Sequence, residues 1–177
     1  SDFRHGIFHR NSTEKFCNFI SKKTFKVADS QVASRWGNIT EFKNFDLITP
    51  NEKEARFSLA DQDSTVGGLA GRLKKKTKYK NIILKLGSRG IVCCSGTGPE
   101  IYSIGTFTDN VLDAVGSGDA PLAYSSLILK ATSSIAAAGI IGSIAAACEC
   151  EIDGNKPITV DLVLQKIDSI EKKSQYN

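Results

Sequence analysis

The chain reads as an α/β protein, a mainly parallel sheet covered by helices on both faces in a three-layer sandwich. Three observations carry that reading. Short apolar runs alternate with helix-like segments through residues 11–86, the order that builds parallel strands joined by crossovers. One run, Asn81-Ile82-Ile83-Leu84-Lys85-Leu86, is apolar on both faces, as in a sheet buried on both sides. Two long helix-like runs, residues 117–130 and 133–150, follow in the second half.

Taken in order, Ser1-Asp2-Phe3-Arg4-His5-Gly6 resembles the polar loop that follows a strand. A helix comes next, with Asn11-Ser12-Thr13-Glu14 offering its N-cap ahead of Phe16, Phe19 and Ile20. Phe25-Lys26-Val27-Ala28-Asp29 is a short strand ending in an acid, and residues 30–37 form a polar loop with the only tryptophan, Trp36. Phe45-Asp46-Leu47-Ile48-Thr49 is a second strand, closed by Pro50. Helices are expected over residues 51–59 and 64–78, the latter with its apolar face at Val66, Leu69 and Leu73. Gly87-Ser88-Arg89-Gly90 turns the third strand directly into Ile91-Val92-Cys93-Cys94, a hairpin, and Ile101-Tyr102-Ser103-Ile104 is an edge strand. Residues 135–148 are apolar but too short and too rich in Ala, Gly and Ser to span a bilayer, so they predict a helix buried on most sides. A last helix runs over residues 160–173. Ligands of such sheets bind at the carboxyl ends of the strands. Asp2, Asp29, Asn51, Gly87 and the loop 116–119 are therefore expected at one edge.

A length of 177 residues predicts one domain with one core. The net charge is only +4, and much of the basic surplus lies in residues 72–80, Arg-Leu-Lys-Lys-Lys-Thr-Lys-Tyr-Lys. With no aromatic platform or zinc-finger spacing beside it, this run reads as a solvated helix face and predicts no nucleic-acid partner. Cysteines 17, 93, 94, 148 and 150 are odd in number and contain no CxxC pair, so reduced, buried thiols are expected. No apolar leader opens the sequence, which predicts a soluble, cytoplasmic protein without a membrane partner.

Chemistry concentrates in Asp113-Ala114-Val115-Gly116-Ser117-Gly118-Asp119-Ala120. Glycines around a serine let successive N–H groups converge ahead of a helix, a site suited to phosphate. Asp119 then has two readings: a base that deprotonates a hydroxyl attacking phosphorus, or an acid complementing the helix dipole. Asn51 and Glu54 share the first turn of a helix and either hold a hydrated Mg²⁺ through water or form a capping box. Lys85-Leu86-Gly87-Ser88-Arg89-Gly90 either lays bare backbone against a nucleotide or is a tight hairpin turn. Asp2, Arg4 and His5 either position a hydroxylated, phosphorylated acceptor or lie on a surface loop.

The succession of PNEKEA at residues 50–55, KLGSRG at 85–90 and DAVGSGDA at 113–120 resembles the ribokinase-like (PfkB-type) family of carbohydrate kinases, whose PNxxEA, TxGxxG and DTxGAGD elements come in that order. The resemblance runs from Asp2 to about Ile170 and implies a Rossmann-like, ribokinase-type sheet. It implies ATP-dependent phosphoryl transfer to a sugar or sugar phosphate, with Asp119 as base and the amides of Gly116, Ser117 and Gly118 as anion hole. It further implies Mg²⁺ held through water by Asn51 and Glu54, and nucleotide contacts from Lys85, Gly87, Ser88 and Gly90. Ser143 and Ala147 fall at the adenine pocket, and Asp113, Val115 and Gly154 where relatives bind a monovalent cation such as K⁺. The opening Asp2-Phe3-Arg4-His5-Gly6 is most similar to the DYxKG loop of heptose-phosphate kinase/nucleotidyltransferases. A nucleoside or other small alcohol as acceptor, or a non-catalytic nucleotide-binding module, are the competing readings.

Three departures stand out. Lys85 replaces the usual threonine, and Pro121 replaces an aromatic or aliphatic residue, so the helix is expected to start late or Asp119 to be displaced. The family's first strands, lid and most acceptor contacts have no counterpart ahead of Ser1. A weakly active or inactive chain, with a sheet edge open to homodimer formation, is the expectation.

Overall fold

The computed structural model describes residues 1–3, 7–31, 38–96, 98, 100–109, 111–112, 118–154 and 156–175. The chain divides into two compact units, Ser1–Gly87 with Ile91–Ser103, and Ser88–Gly90 with Ile104–Asn177.

The first unit carries the sheet. Its elements are α1 (Arg10–Phe19), β1 (Val27–Ala28), a 3-10 turn (Ile39–Glu41), β2 (Leu47–Ile48), α2 (Glu52–Leu59), α3 (Val66–Thr77), β3 (Asn81–Lys85), β4 (Ile91–Ser95) and β5 (Ile101–Ile104). The strands lie in chain order across one five-stranded sheet. β1 pairs β2 in parallel with Val27 opposite Leu47, and β2 pairs β3 in parallel with Ile48 opposite Ile82. β3 and β4 are the antiparallel hairpin expected from the glycine turn, Lys85 opposite Ile91. The α/β class with a mostly parallel sheet is thus the one read from the sequence.

Successive residues of a strand face opposite sides, and both sides of the sheet's centre are buried. Ile48, Ile82 and Leu84 belong to a core with Ala55, Leu69 and Leu73 from α2 and α3, while Leu47, Ile83 and Cys93 are buried as well. Val66, expected on the buried face of α3, is only partly buried, and Ala70 takes a core position beside Leu69 and Leu73. At α1 the cap differs from expectation. His9 is the N-cap: its Nδ1 accepts from the Ser12 N–H at 3.4 Å, and its own N–H donates to Ser12 Oγ at 2.9 Å. Ser12 therefore works as the third helical residue rather than as the cap.

Between α2 and α3, Asp61 organises the connection. It accepts hydrogen bonds from the N–H groups of Ser64 at 3.0 Å and Asp63 at 3.2 Å, and pairs with Arg72. The Ser64 contacts first, then Asp63 and the Arg72 guanidinium, hold its carboxyl down at about 2. The folded value lies below the ordinary value of about 3.9, so Asp61's stabilisation is complete above that pH and is lost as pH falls through about 2. Asp61→Asn is expected to lower the melting temperature at pH 7. The gap from the parent closes as both are melted at pH values stepped from about 4 down to about 2.

The second unit is built on helices α4 (Asp119–Thr132), α5 (Ile135–Cys150) and α6 (Val160–Gln175). α4 and α5 form a helical hairpin across Ser133, in left-handed conformation at φ 58°, and Ser134, the N-cap of α5. Small residues set how closely the two helices approach: a Cβ on Gly142 would fall on Ser125 Oγ. Ser125 Oγ itself donates to the Ala138 carbonyl at 2.9 Å. α5 is buried at nine positions from Ile135 to Cys148, as its apolar composition requires. Val163 and the partly buried Ile167 and Ile170 of α6 pack against Ile144, Ala145 and Cys148. No helix among the described residues is long and apolar enough to cross a membrane. No disulfide joins any of the five cysteines, and burial pushes the Cys93 thiol up to about 12.

Candidate functional site

The parallel strands β1, β2 and β3 end at one edge of the first unit, and chemically useful residues follow each of them. Asp29 comes directly after β1, Thr49 after β2, and Lys85 closes β3. Their side chains meet. Lys85 Nζ lies 3.2 Å from both Asp29 carboxylate oxygens, and Thr49 Oγ1 donates to Asp29 Oδ1 at 3.1 Å. Asp29 is 1% exposed and Lys85 20%. A carboxylate so buried requires a charged or hydrogen-bonding partner, and here it has both. Backbone pairing fixes the group: Lys85 N–H donates to the Pro50 carbonyl at 2.9 Å, and Thr49 N–H to the Ala28 carbonyl at 3.1 Å. Asp2, buried, extends the edge by a parallel bridge to Ser30, its N–H donating to the Asp29 carbonyl at 2.9 Å.

Pro50 ends β2, and Asn51 turns the chain into α2 as its N-cap. Asn51 Oδ1 accepts from the Glu54 N–H at 2.8 Å, and Glu54 Oε2 accepts from the Asn51 N–H at 2.7 Å. The capping box foreseen for these residues is therefore realised. It holds the Glu54 carboxylate, only 4% exposed, in the first turn of α2, and Asn51 itself forms a parallel bridge to Lys85. Among the described residues no group of three or more His, Cys, Asp or Glu side chains converges to cage a metal directly. The donor set present, one carboxylate and one amide, fits an ion that keeps most of its waters.

Glycine is required at both ends of the following turn, for different reasons. Gly87 has φ 63° but open space where a Cβ would lie. Gly90 has φ 82°, and a Cβ there would fall on the Ile104 carbonyl oxygen and 2.8 Å from Gly105 Cα. Gly90 is buried by close backbone packing, whereas Gly87 and Ser88 are exposed and open to a ligand.

In the second unit, Asp119 is the first residue of α4 and is exposed. Its N-cap is Gly118, which supplies no side-chain cap. The positive end of the helix dipole lies where Asp119 stands. Ala120 N–H is met from another helix, donating to Glu149 Oε2 at 3.3 Å. Pro121 has no N–H to satisfy and sits in the first turn, where proline is tolerated. The helix begins at Asp119, with Pro121 as its third residue. Glu149 is the only charged residue of α5, a signal that sequence reading passed over in favour of its flanking cysteines. Burial raises its carboxyl above the usual range, and nearby Asp119 adds to that, against the lowering by the Ala120 N–H.

Ser143 and Ala147 lie on the buried side of α5, with Ser143 Oγ donating to the Gly105 carbonyl at 3.2 Å. Gly154 has φ 77°. Arg4, His5, Asp113, Val115, Gly116 and Ser117 lie outside the described residues.

Known proteins share this architecture. Phosphofructokinase-2 from Escherichia coli, in a complex with potassium, superposes with a TM-score of 0.77 at 15% identity over 93% of this chain and 53% of its own. Ribokinase from Thermotoga maritima gives 0.73 at 24% over 89% and 52%. Arabidopsis thaliana ribokinase complexed with ribose and ATP gives 0.67 at 21% over 80% and 46%. The chain thus spans about half the length of the solved structures it matches. No curated protein sequence matches it. The profile of the pfkB family carbohydrate kinases matches residues 13–156, most of the chain. With the α/β fold and the strand-edge motifs, that match makes the chain a member of the PfkB family of carbohydrate kinases.

Proposed function

We propose that the chain provides the nucleotide side of an ATP-dependent kinase that phosphorylates a hydroxyl of a sugar or sugar phosphate. The observation that carries this reading is the exposed carboxylate of Asp119 at a helix N-terminus whose cap is a glycine. Asp119 takes the acceptor hydroxyl's proton. The acceptor oxygen then bonds to the terminal phosphorus as the bond to the ADP oxygen breaks. Backbone N–H groups of Gly116, Ser117 and Gly118 stabilise the charge on the transferring group. Lys85, Gly87 and Ser88 bind nucleotide on the turn that the buried Gly90 closes, with Ser143 and Ala147 at the adenine. Asn51 and Glu54 hold Mg²⁺ through water, and the ion when bound offsets phosphate charge. The potassium of the E. coli relative supports a K⁺ site at Asp113, Val115 and Gly154. Asp2, Arg4 and His5 position the acceptor, and their sequence favours a heptose-phosphate-like sugar.

Calorimetric titration with Mg·ADP tests the nucleotide half of this reading. Saturable binding of one nucleotide per chain is expected. Absence of binding up to about 1 mM, the upper end of ordinary substrate constants, would remove it. ADP release by the whole protein across a panel of sugars and sugar phosphates identifies the acceptor.

A further inference from the structure

We propose that Asp29 is a positioning residue: with Thr49, its buried carboxylate holds the Lys85 ammonium at the carboxyl edge of the sheet as a fixed cation for the nucleotide's phosphates. The inference rests on the reading that nucleotide binds at this edge. A free lysine is a hydrated point charge on a flexible four-carbon stem, and a phosphate must immobilise it on binding. Lys85 is already immobilised. Its ammonium spans both oxygens of Asp29 at 3.2 Å, and Asp29 is held in turn by the Thr49 hydroxyl at 3.1 Å. The three residues stand at the ends of three neighbouring strands, Asp29 just after β1, Thr49 just after β2 and Lys85 closing β3. Lys85 nevertheless keeps 20% of its side chain accessible, and an ammonium with three N–H groups can serve Asp29 and still donate outward. A purely stabilising ion pair would explain the burial of Asp29 equally well, but it would not couple to phosphate.

The test is a double-mutant cycle on Mg·ADP affinity, measured on this chain, with thermal melts as a control on folding. Lys85→Met is expected to weaken ADP about tenfold, the worth of one hydrogen bond to a charged group. Asp29→Asn should weaken it several-fold and have no further effect in the Lys85→Met background. The ¹⁵N-labelled Lys85 ammonium resonance should shift on adding ADP, and the shift should be reduced in Asp29→Asn. Thr49→Val, a smaller perturbation, should cost about threefold and carries the test if Asp29→Asn does not fold. Unchanged ADP affinity in Lys85→Met, or an Asp29→Asn loss that persists undiminished beside Lys85→Met, overturns the proposal and leaves the nucleotide site standing. Failure of the unmutated chain to bind Mg·ADP instead overturns the underlying reading, and the proposal with it.

Discussion

Asp119→Asn should lower phosphoryl transfer by about 10²–10⁴-fold while leaving Mg·ADP affinity nearly unchanged. Asparagine keeps the shape at the start of α4 but cannot accept the proton of an attacking hydroxyl. The loss therefore belongs to the transition state alone, and kcat falls without a matching rise in KM for nucleotide. Structure at the helix start should survive. The Glu149 contact to Ala120 N–H does not involve the Asp119 side chain, and Pro121 needs no N–H partner. The measurement is ADP release by the whole protein with its acceptor, parent against variant, with nucleotide affinity taken in parallel. Full turnover in Asp119→Asn would reassign Asp119 to complementing the helix dipole.

Gly90→Ala is expected to cost about 2–5 kcal/mol of stability. About 1–2 kcal/mol arises from placing a Cβ at φ 82°, and about 1–3 kcal/mol from forcing it onto the Ile104 carbonyl and Gly105. Domains of this kind are stable by only about 5–15 kcal/mol, so the effect is large. Gly87→Ala pays only the conformational cost, about 1–2 kcal/mol, because its Cβ meets open space. Urea denaturation of the two variants reads the difference directly as a shift in midpoint. Equal shifts would show that the turn relaxes away from Ile104. The contrast also separates two roles that one motif combines: Gly90 serves packing, and Gly87 is the glycine left accessible to a ligand.

Most elements were legible because their apolar periodicity is local. The run Ile82-Ile83-Leu84 reads as a strand buried on both faces, and Leu69 and Leu73 fall four apart on one helix face. The antiparallel β3–β4 pairing followed from a four-residue glycine turn too short for a crossover. The start of α1 was misplaced because Asn11, Ser12 and Thr13 all compete as caps, and histidine is not among the favoured capping residues. The cost of Pro121 likewise depends on which turn of the helix it occupies, and that depends on where Gly118 ends the loop.

The order of strands and helices, the capping box of Asn51 and Glu54, and the motifs of the family are set by residues near one another in the chain, whose spacing alone dictates their partners. The Asp29–Lys85 pair joins residues 56 apart, and Glu149 reaches Ala120 across 29. Such contacts have no signature in spacing. They exist because parallel pairing brings the ends of β1, β2 and β3 to one edge and because small residues let α4 and α5 approach closely. Only the folded chain could show that the lysine standing in place of threonine is held by a buried carboxylate.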